Sequence, residues 1–108
     1  MYLPQIDVCE RPNEIVILVE LPGVDRRDVQ ISWEDNVLII AGTKRREPEA
    51  GAAQFTCIER NYGPFRREIA ISIPIDHKKA RAHLKEGLMK IHLPKVRESG
   101  ERETIPIE

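Results

Sequence analysis

The sequence is poor in cysteine and in aromatic residues, and it has almost no net charge. Its 108 residues include two cysteines, one Trp, two Tyr and two Phe, and the formal net charge is −1 at pH 7. Two cysteines do not make a disulfide framework, and a reducing compartment would keep Cys9 and Cys57 as thiols. Because charges of both signs are mixed along the chain, we see no electrostatic reason to expect a polyanion or an anionic membrane as partner.

Long apolar runs and targeting signals are also missing from the sequence. No stretch is long enough to cross a bilayer, and the N-terminus lacks the charged and then apolar order of a secretory signal. We therefore expect a cytoplasmic protein without a membrane partner. The basic clusters at 44–46 and 66–67 lack the aromatic stacking platform of a single-strand binder, so nucleic acid is not an expected partner either.

No catalytic apparatus is recognisable in the sequence. It has no glycine-rich phosphate loop, no serine elbow and no cysteine–histidine pair with the signature of a nucleophile. The spacings of His77, His83 and His92 match no common zinc pattern, and surface histidines are the simpler interpretation. Glu59 and Glu68 could act as a pair of catalytic carboxylates, but two charged side chains exposed to solvent are the better explanation. We expect no enzyme, no cofactor and no metal site.

Period-two patterns and short β-branched runs recur between turn residues, which predicts an all-β fold. The length and the hydrophobic content of 41% suit a single domain. Residues 14–20 are apolar on both faces, as in a central strand, while 29–33 and 37–43 should form a hairpin around a turn at 34–36. Seven to eight strands of this kind predict an antiparallel β-sandwich of immunoglobulin-like size.

The stretch from 44 to 62 interrupts this pattern. Loop composition at 47–53 is followed by strand character at 54–58, so we expect a long loop that carries a small strand. Loops of this length are uncommon in compact domains and are often functional. The strand pattern then resumes at 65–73, 82–85 and 88–93, with one helical turn between 75 and 81.

Three stretches of the sequence carry motifs that occur in order over nearly the whole chain. The first is a Leu-Pro-Gly-Val turn at 21–24, followed by the hairpin pattern at 29–42. The second is Glu-Arg-Asn-Tyr-Gly-Pro-Phe-Arg-Arg at 59–67, and the third is the block at 82–95. With this spacing they resemble the α-crystallin domain of the small heat shock proteins. The second stretch is similar to the family's Glu-Arg…Gly-x-Phe-x-Arg signature, and the third to its Ala…Asn-Gly-Val-Leu-x-Val-x-Val-Pro block, with Glu86 and Leu88 as mild departures.

This resemblance implies an ATP-independent holdase that captures unfolding client proteins. It implies a domain at 1–95 and a flexible tail at 96–108, and a homodimer that can assemble further through the tail. The tail motif would be Ile105, Pro106 and Ile107, and it would dock into a groove lined by Val29, Ile31, Ala82 and Leu84. The dimer interface would contain an exchanged strand and one arginine: Gln54, Phe55, Thr56, Cys57, Ile58 and Arg67.

Several alternatives stay open at this point. A co-chaperone or adaptor with the same sandwich would instead bind one folded partner, and the two isoleucines could belong to a disordered end without function. Arg67 should either face solvent or meet a carboxylate, and we expect the carboxylate, for which Glu59 and the neighbours of Glu68 across the strand are candidates. Members of the family usually carry a long N-terminal arm, whereas three residues precede Pro4 here. A trimmed chain and a naturally armless member both fit that departure.

Overall fold

The computed structural model describes residues 2–47, 49, 51, 53–96 and 107, and these form a sandwich of two antiparallel β-sheets. Their strands are β1 (Ile6–Glu10), β2 (Glu14–Glu20), β3 (Val29–Glu34), β4 (Val37–Lys44), β5 (Gly63–Ala70), β6 (Arg81–Lys85) and β7 (Leu88–Pro94). One sheet has the strand order β1-β2-β7-β6, and the other has the order β3-β4-β5. The prediction of an all-β antiparallel sandwich is confirmed.

The helices formed by the described residues are two short 3-10 turns, Arg26–Asp28 and His77–Lys79. The second lies inside the segment where one helical turn was expected, and the first was not anticipated. Its N-cap is Asp25, whose carboxylate accepts a hydrogen bond from the backbone N–H of Arg27 at 2.9 Å. Within the described ranges, no helix is long and apolar enough to cross a membrane.

Strand β2 has the central position that its sequence predicts. It pairs with β1 on one side and with β7 on the other. Ile15, Ile17 and Val19 alternate along the strand and belong to the core, while Val16 is buried on the opposite face. A strand that buries both faces needs the nearly continuous apolar sequence found here.

The core lies between the two sheets and draws on both of them. Each of its larger aliphatic side chains stabilises the folded state by roughly 1.5–3 kcal/mol relative to an exposed position. The buried residues of this cluster are Ile15, Ile17, Val19, Leu21, Val24, Leu38, Ile40, Phe65, Ile71, Ile75, Met89, Ile91 and Leu93.

Two tight hairpins depend on residues with positive φ. In the β3–β4 turn, Asp35 and Asn36 have φ values of 50° and 64°, and in the β6–β7 turn Glu86 and Gly87 have values of 52° and 78°. Two successive residues in this region fit the twist of a two-residue hairpin, and Asp, Asn and Gly tolerate it best. Glu86 is the exception, because glutamate rarely adopts this conformation without a steric cost.

Gly42 lets the backbone at Asp28 and the ring of Phe65 approach β4 closely. A Cβ atom at this position would lie 2.1 Å from the carbonyl oxygen of Asp28 and 2.9 Å from Cζ of Phe65. No side chain can be accommodated at these distances. The glycine therefore lets the first 3-10 turn and the Phe65 ring pack directly on β4.

The N-terminal segment before β1 is fixed by Tyr2. The Tyr2 hydroxyl donates a hydrogen bond to the Glu20 carbonyl oxygen at 3.0 Å, and the ring meets that of Phe65 edge-on at 5.7 Å. Nζ of Lys44 lies 4.6 Å from the centroid of the Tyr2 ring, a cation–π contact for a buried ammonium group. Burial, and secondarily the charge of Glu20, raises the pKa of the Tyr2 phenol.

Candidate protein-binding edges

In the described part of the chain, the two sheets end in four edge strands: β1 and β6 in one sheet, and β3 and β5 in the other. Edge strands present unpaired backbone N–H and C=O groups, which another chain can bind. Residues of β3 and β6 surround a common cavity, which we call the β3/β6 groove. On the other side, a hydrogen bond joins Arg67 of β5 to Pro4, just before β1. We call this second open side the β1/β5 side.

The β3/β6 groove is an open cavity of about 380 Å³ with a predominantly apolar lining. Its floor contains Leu38, Ile91 and Leu93, all of which belong to the buried core. The full lining consists of Ile31, Ser32, Trp33, Leu38, His77, Ala80, Arg81, Ala82, Ile91 and Leu93. A groove of this composition can accept apolar side chains from an extended segment, because the strand edges lie beside the apolar floor.

The residues predicted to line the groove lie on its two strands, but they do not all border the cavity. Ile31 and Ala82 are part of the lining, whereas Val29 and Leu84 are half-buried on the same strands and pack against the core. Trp33 was missed, although it follows Ile31 by two residues and therefore shares its face of β3. His77 and Ala80 were also missed, because the sequence predicts a helical turn at 75–81 but not that this turn packs beside the groove.

The loop after β4 contains exposed apolar residues but no strand. Residues 54–58 of the single chain are not hydrogen-bonded into either sheet, so the small strand expected there is not formed. Phe55 and Ile58 are 48% and 53% exposed. The guanidinium of Arg46 lies 4.6 Å from the centroid of the Phe55 ring. A single extended segment cannot pair its own backbone N–H and C=O groups. A strand-like sequence therefore forms a strand only where the edge of a neighbouring strand is available.

Strand β1 offers such an edge on the β1/β5 side. Its residues after Ile6 are exposed, and Val8 in the middle of the strand is 51% exposed. Ile6 is half-buried and packs against the core, which fixes the face of β1 that points to the sandwich. The outer edge of β1 has no neighbour among the described residues.

Arg67 does not meet the carboxylate that we expected. Its Nη1 atom donates to the carbonyl oxygen of Pro4 at 2.7 Å, and no ion pair of Arg67 occurs within the described ranges. The alternation along β5 explains the difference: Arg66 and Glu68 share the outer face and pair with each other at 3.0 Å, while Arg67 points to the other side. Glu59 lies instead near Cys57, whose thiol donates to the Glu59 carboxylate at 3.8 Å.

A polar cluster lies on the four-stranded sheet, away from the groove. His92 Nδ1 and Glu14 Oε1 are 2.6 Å apart, and the His83 and His92 rings stack with their centroids 5.8 Å apart. The hydrogen bond from His92 lowers the pKa of the Glu14 carboxyl. In the part of the chain that is described, no group of three His, Cys, Asp or Glu residues could hold a metal ion.

Of the predicted tail motif, Ile105 and Pro106 lie outside the described residues. Ile107 is described and is fully exposed in the single chain. Its docking into the groove therefore remains a prediction.

The sandwich, its two open sides and the sequence patterns at 21–24, 59–67 and 82–95 define an α-crystallin domain. The sequence matches the Hsp20/alpha crystallin family over residues 7–108, and the chain belongs to this family of small heat shock proteins, which are ATP-independent chaperones and not enzymes.

Individual relatives agree with this assignment. Heat shock protein 16 of Schizosaccharomyces pombe is 36% identical over 107 residues, which cover 97% of this chain and 75% of that protein. Small heat shock protein C4 of Rickettsia felis is 32% identical over 96 residues, and the match covers 89% of this chain but 59% of that protein. The chain therefore spans between about three fifths and three quarters of the length of these two relatives.

Solved structures show the same architecture. Heat shock protein 16.0 from Schizosaccharomyces pombe superposes with a TM-score of 0.85 at 34% identity, over 100% of both chains. A small heat-shock protein from Xylella fastidiosa, described as having a distinct high order structure, superposes with a TM-score of 0.79 at 30% identity, over 99% of this chain and 94% of that one.

Proposed function

We propose that this chain is a holdase of the cytoplasm that binds unfolding proteins without ATP and prevents their aggregation. The observation that carries the proposal is the β3/β6 groove, an open apolar cavity between two edge strands. Unfolding proteins expose extended apolar segments, and these can bind a strand edge through main-chain hydrogen bonds and side-chain pockets. Each apolar side chain buried in this way contributes roughly 1.5–3 kcal/mol. Ordering of the bound segment offsets much of that gain, so capture is weak and reversible.

The proposal is tested by determining whether the chain binds the native or the heated form of a client protein. A heat-labile protein is mixed with this chain before and after heating, without nucleotide, and the mixture is separated by size-exclusion chromatography. A holdase elutes with the heated client and not with the native one. Stoichiometric binding to a native protein, with no binding to the heated client, would instead support the adaptor alternative.

Self-association through the β1/β5 side supports this function. In the proposed homodimer, residues 54–58 of each subunit add to the outer edge of β1 of the other and cover the exposed Val8. The exchange satisfies the backbone groups of residues 54–58 and of the outer edge of β1, neither of which has a strand neighbour among the described residues, and two-fold symmetry makes it reciprocal. Arg67 supports this side from within each subunit through its hydrogen bond to Pro4.

The dimer proposal can be tested by replacing residues 54–58 with a Gly-Ser linker of the same length. The variant should be a folded monomer in sedimentation velocity, with an unchanged circular dichroism spectrum in the strand region. A folded variant that sediments as a dimer would remove the loop from the interface.

The tail would connect dimers into larger oligomers. We propose that residues 1–95 form the domain and that residues 96–108 act as a tether, with Ile105 and Ile107 in the β3/β6 groove of a neighbouring subunit. Residues two apart in an extended segment point to the same side, so both isoleucines can enter adjacent pockets. Pro106 restricts the free tail and so lowers the entropic cost of docking.

Two pairs of variants test the tether. The double variant Ile105→Ala/Ile107→Ala and the groove variant Ala82→Glu should both reduce the oligomer to dimers, measured by size-exclusion chromatography with light scattering. His83→Glu is the matched control, since His83 is an exposed residue next to Ala82 on the same strand β6 but does not line the groove. Retention of the full oligomer mass by the double variant would show that the tail is not the tether.

A further inference from the structure

Two exposed thiols lie on the two segments that meet in the proposed dimer. Cys9 is on the edge strand β1, and Cys57 is in the 54–58 segment that would add to that edge. Both are free in the single chain, and neither belongs to the core. Their placement brings a cysteine of each subunit to the same interface.

The pleat of β1 fixes the face on which Cys9 lies. Side chains alternate along a strand, and Ile6 points to the core, so Val8 lies on the inner face and Cys9 on the outer face. In an extended 54–58 segment, Ile58 and Cys57 point to opposite faces by the same rule. If Ile58 joins Val8 on the inner face, Cys57 joins Cys9 on the outer face.

Two natural registers place the thiols directly opposite each other. In the antiparallel register that sets Ile58 against Val8, the next pair is Cys57 against Cys9. This register covers two side chains that are about half exposed in the single chain, at 53% and 51%. It places two apolar residues in a cross-strand pair, which is a stabilising contact.

The parallel register that overlaps both five-residue segments from end to end gives the same pairing of Cys57 with Cys9. In that register the residue after the segment, Glu59, lies opposite Arg11, a favourable pair of charges. Each direction of the exchanged segment therefore has a register that sets Cys57 opposite Cys9.

The geometry of adjacent strands suits a disulfide. Directly opposite residues in an antiparallel pair of strands have Cα atoms about 4.5–5.5 Å apart, and their side chains lie on the same face. A disulfide needs a Cα separation of about 4.4–6.8 Å, so this spacing permits the bond.

We propose that Cys9 of each subunit forms a reversible disulfide with Cys57 of the partner subunit under oxidising conditions, which locks the dimer covalently. This inference rests on the proposed loop exchange. In a reducing compartment the thiols stay reduced and the dimer exchanges subunits freely. Oxidative stress would then convert an exchanging dimer into a fixed one, with two symmetric cross-links.

The cross-link forms by thiol–disulfide exchange with a low-molecular-weight disulfide such as oxidised glutathione. The thiolate of Cys57 attacks one sulfur of glutathione disulfide and displaces one glutathione thiolate. The thiolate of Cys9 then attacks the Cys57 sulfur of the mixed disulfide and displaces the second glutathione. The two protein thiols lose two electrons and two protons, and glutathione disulfide takes them up to become two molecules of glutathione.

The test uses the full chain in buffers of defined ratio of reduced to oxidised glutathione. On a gel without reductant, the protein should change from a monomer band in reduced buffer to a predominantly dimer band in oxidised buffer. Peptide mapping by mass spectrometry should identify a peptide pair that joins Cys9 to Cys57. A dominant pairing of Cys9 with Cys9, or of Cys57 with Cys57, would overturn the proposal.

Single variants separate a cross-link between subunits from one within a chain. Cys9→Ser and Cys57→Ser should each remain monomeric on the gel when oxidised alone. When the two variants are mixed, left to exchange subunits and then oxidised, a cross-linked dimer should appear with one chain of each type. If the mixture stays monomeric while the unmutated protein loses its thiols as a monomer, the disulfide is intrachain and the proposal is wrong.

Sedimentation of the reduced protein distinguishes this inference from the proposed dimer itself. A reduced dimer that fails to cross-link on oxidation overturns the disulfide and leaves the dimer intact. A reduced protein that is monomeric at all concentrations, and does not cross-link, overturns both.

Discussion

The guanidinium of Arg67 donates a hydrogen bond to the carbonyl oxygen of Pro4 at 2.7 Å and so connects residues that are 63 positions apart in the chain. Pro4 is buried and directly precedes the edge strand β1. The contact therefore fixes the start of β1 against β5, and it does so from inside one subunit.

Arg67→Ala should destabilise the domain by about 1–2 kcal/mol, because a hydrogen bond from a charged donor is worth roughly 1.5–3 kcal/mol and this side chain is only half-buried. Urea unfolding measures the change. Arg66→Ala is the control on the same strand, since Arg66 pairs with Glu68 at the surface with both side chains more than half exposed. That loss should stay below about 1 kcal/mol. Equal losses for the two variants would contradict the role given to Arg67.

Gly42→Ala should be among the most damaging single-methyl changes in this domain. The added Cβ would lie 2.1 Å from the Asp28 carbonyl oxygen, a backbone atom that cannot move alone. We expect a loss of about 3 kcal/mol or more, at the upper end for overpacked sites. Thermal unfolding of Gly42→Ala and Gly51→Ala makes the comparison, because a Cβ at Gly51 meets no atom within 4 Å and its cost is limited to the positive φ of 83°. A similar melting temperature for both variants would show that β4 is not packed as described.

Glu86→Asn should stabilise the β6–β7 hairpin. Glu86 has a φ of 52°, where asparagine is better tolerated than glutamate. The expected gain is about 0.5–1 kcal/mol in the free energy of unfolding. Glu34→Asn serves as the control, because Glu34 ends strand β3 with ordinary extended backbone, and asparagine should be neutral or unfavourable there. A loss of stability for Glu86→Asn would show that the turn is not limited by its backbone conformation.

The Glu14–His92 contact predicts a dependence of stability on pH. The hydrogen bond from His92, 2.6 Å long, holds the Glu14 pKa below its usual value of 4.5. A carboxyl group whose pKa is lower in the folded state stabilises the fold fully above its unfolded pKa, and this contribution is lost as the pH falls through the folded pKa.

The unmutated protein should therefore be more stable than Glu14→Gln at pH 6, and the difference should shrink steadily below about pH 4.5. Denaturant titrations at a series of pH values measure it. A difference that stays constant from pH 6 to pH 3 would exclude the ionised pair as its source.

The fold could be predicted from the sequence because the strands show alternating or continuous apolar patterns and the hairpin turns contain turn-forming residues. The run 14–20 indicated a central strand, and the Asp35-Asn36 turn indicated the first hairpin; both have the expected places. The groove was predicted only in part. Trp33 follows from the alternation of β3, whereas the helical turn was expected at 75–81 but its position beside the groove, which places His77 and Ala80 there, was not.

The features that could not be predicted depend on neighbours that are distant in sequence. A strand at 54–58 needs a neighbouring strand edge, which the described part of the single chain does not supply, so its pattern alone could not decide whether it forms. The partner of Arg67 is a backbone carbonyl, which every residue has, so no sequence pattern distinguishes Pro4 from other candidates.

The most direct test of the account is suppression of aggregation by the unmutated chain. A heat-labile client is heated without ATP, and its light scattering is followed with increasing ratios of this protein to client; an inert folded protein at the same mass concentration is the control. We expect scattering to fall progressively with the ratio and to be nearly abolished at a several-fold excess of subunits, while the control has no effect. Scattering that remains unchanged at that excess would contradict the proposed holdase function.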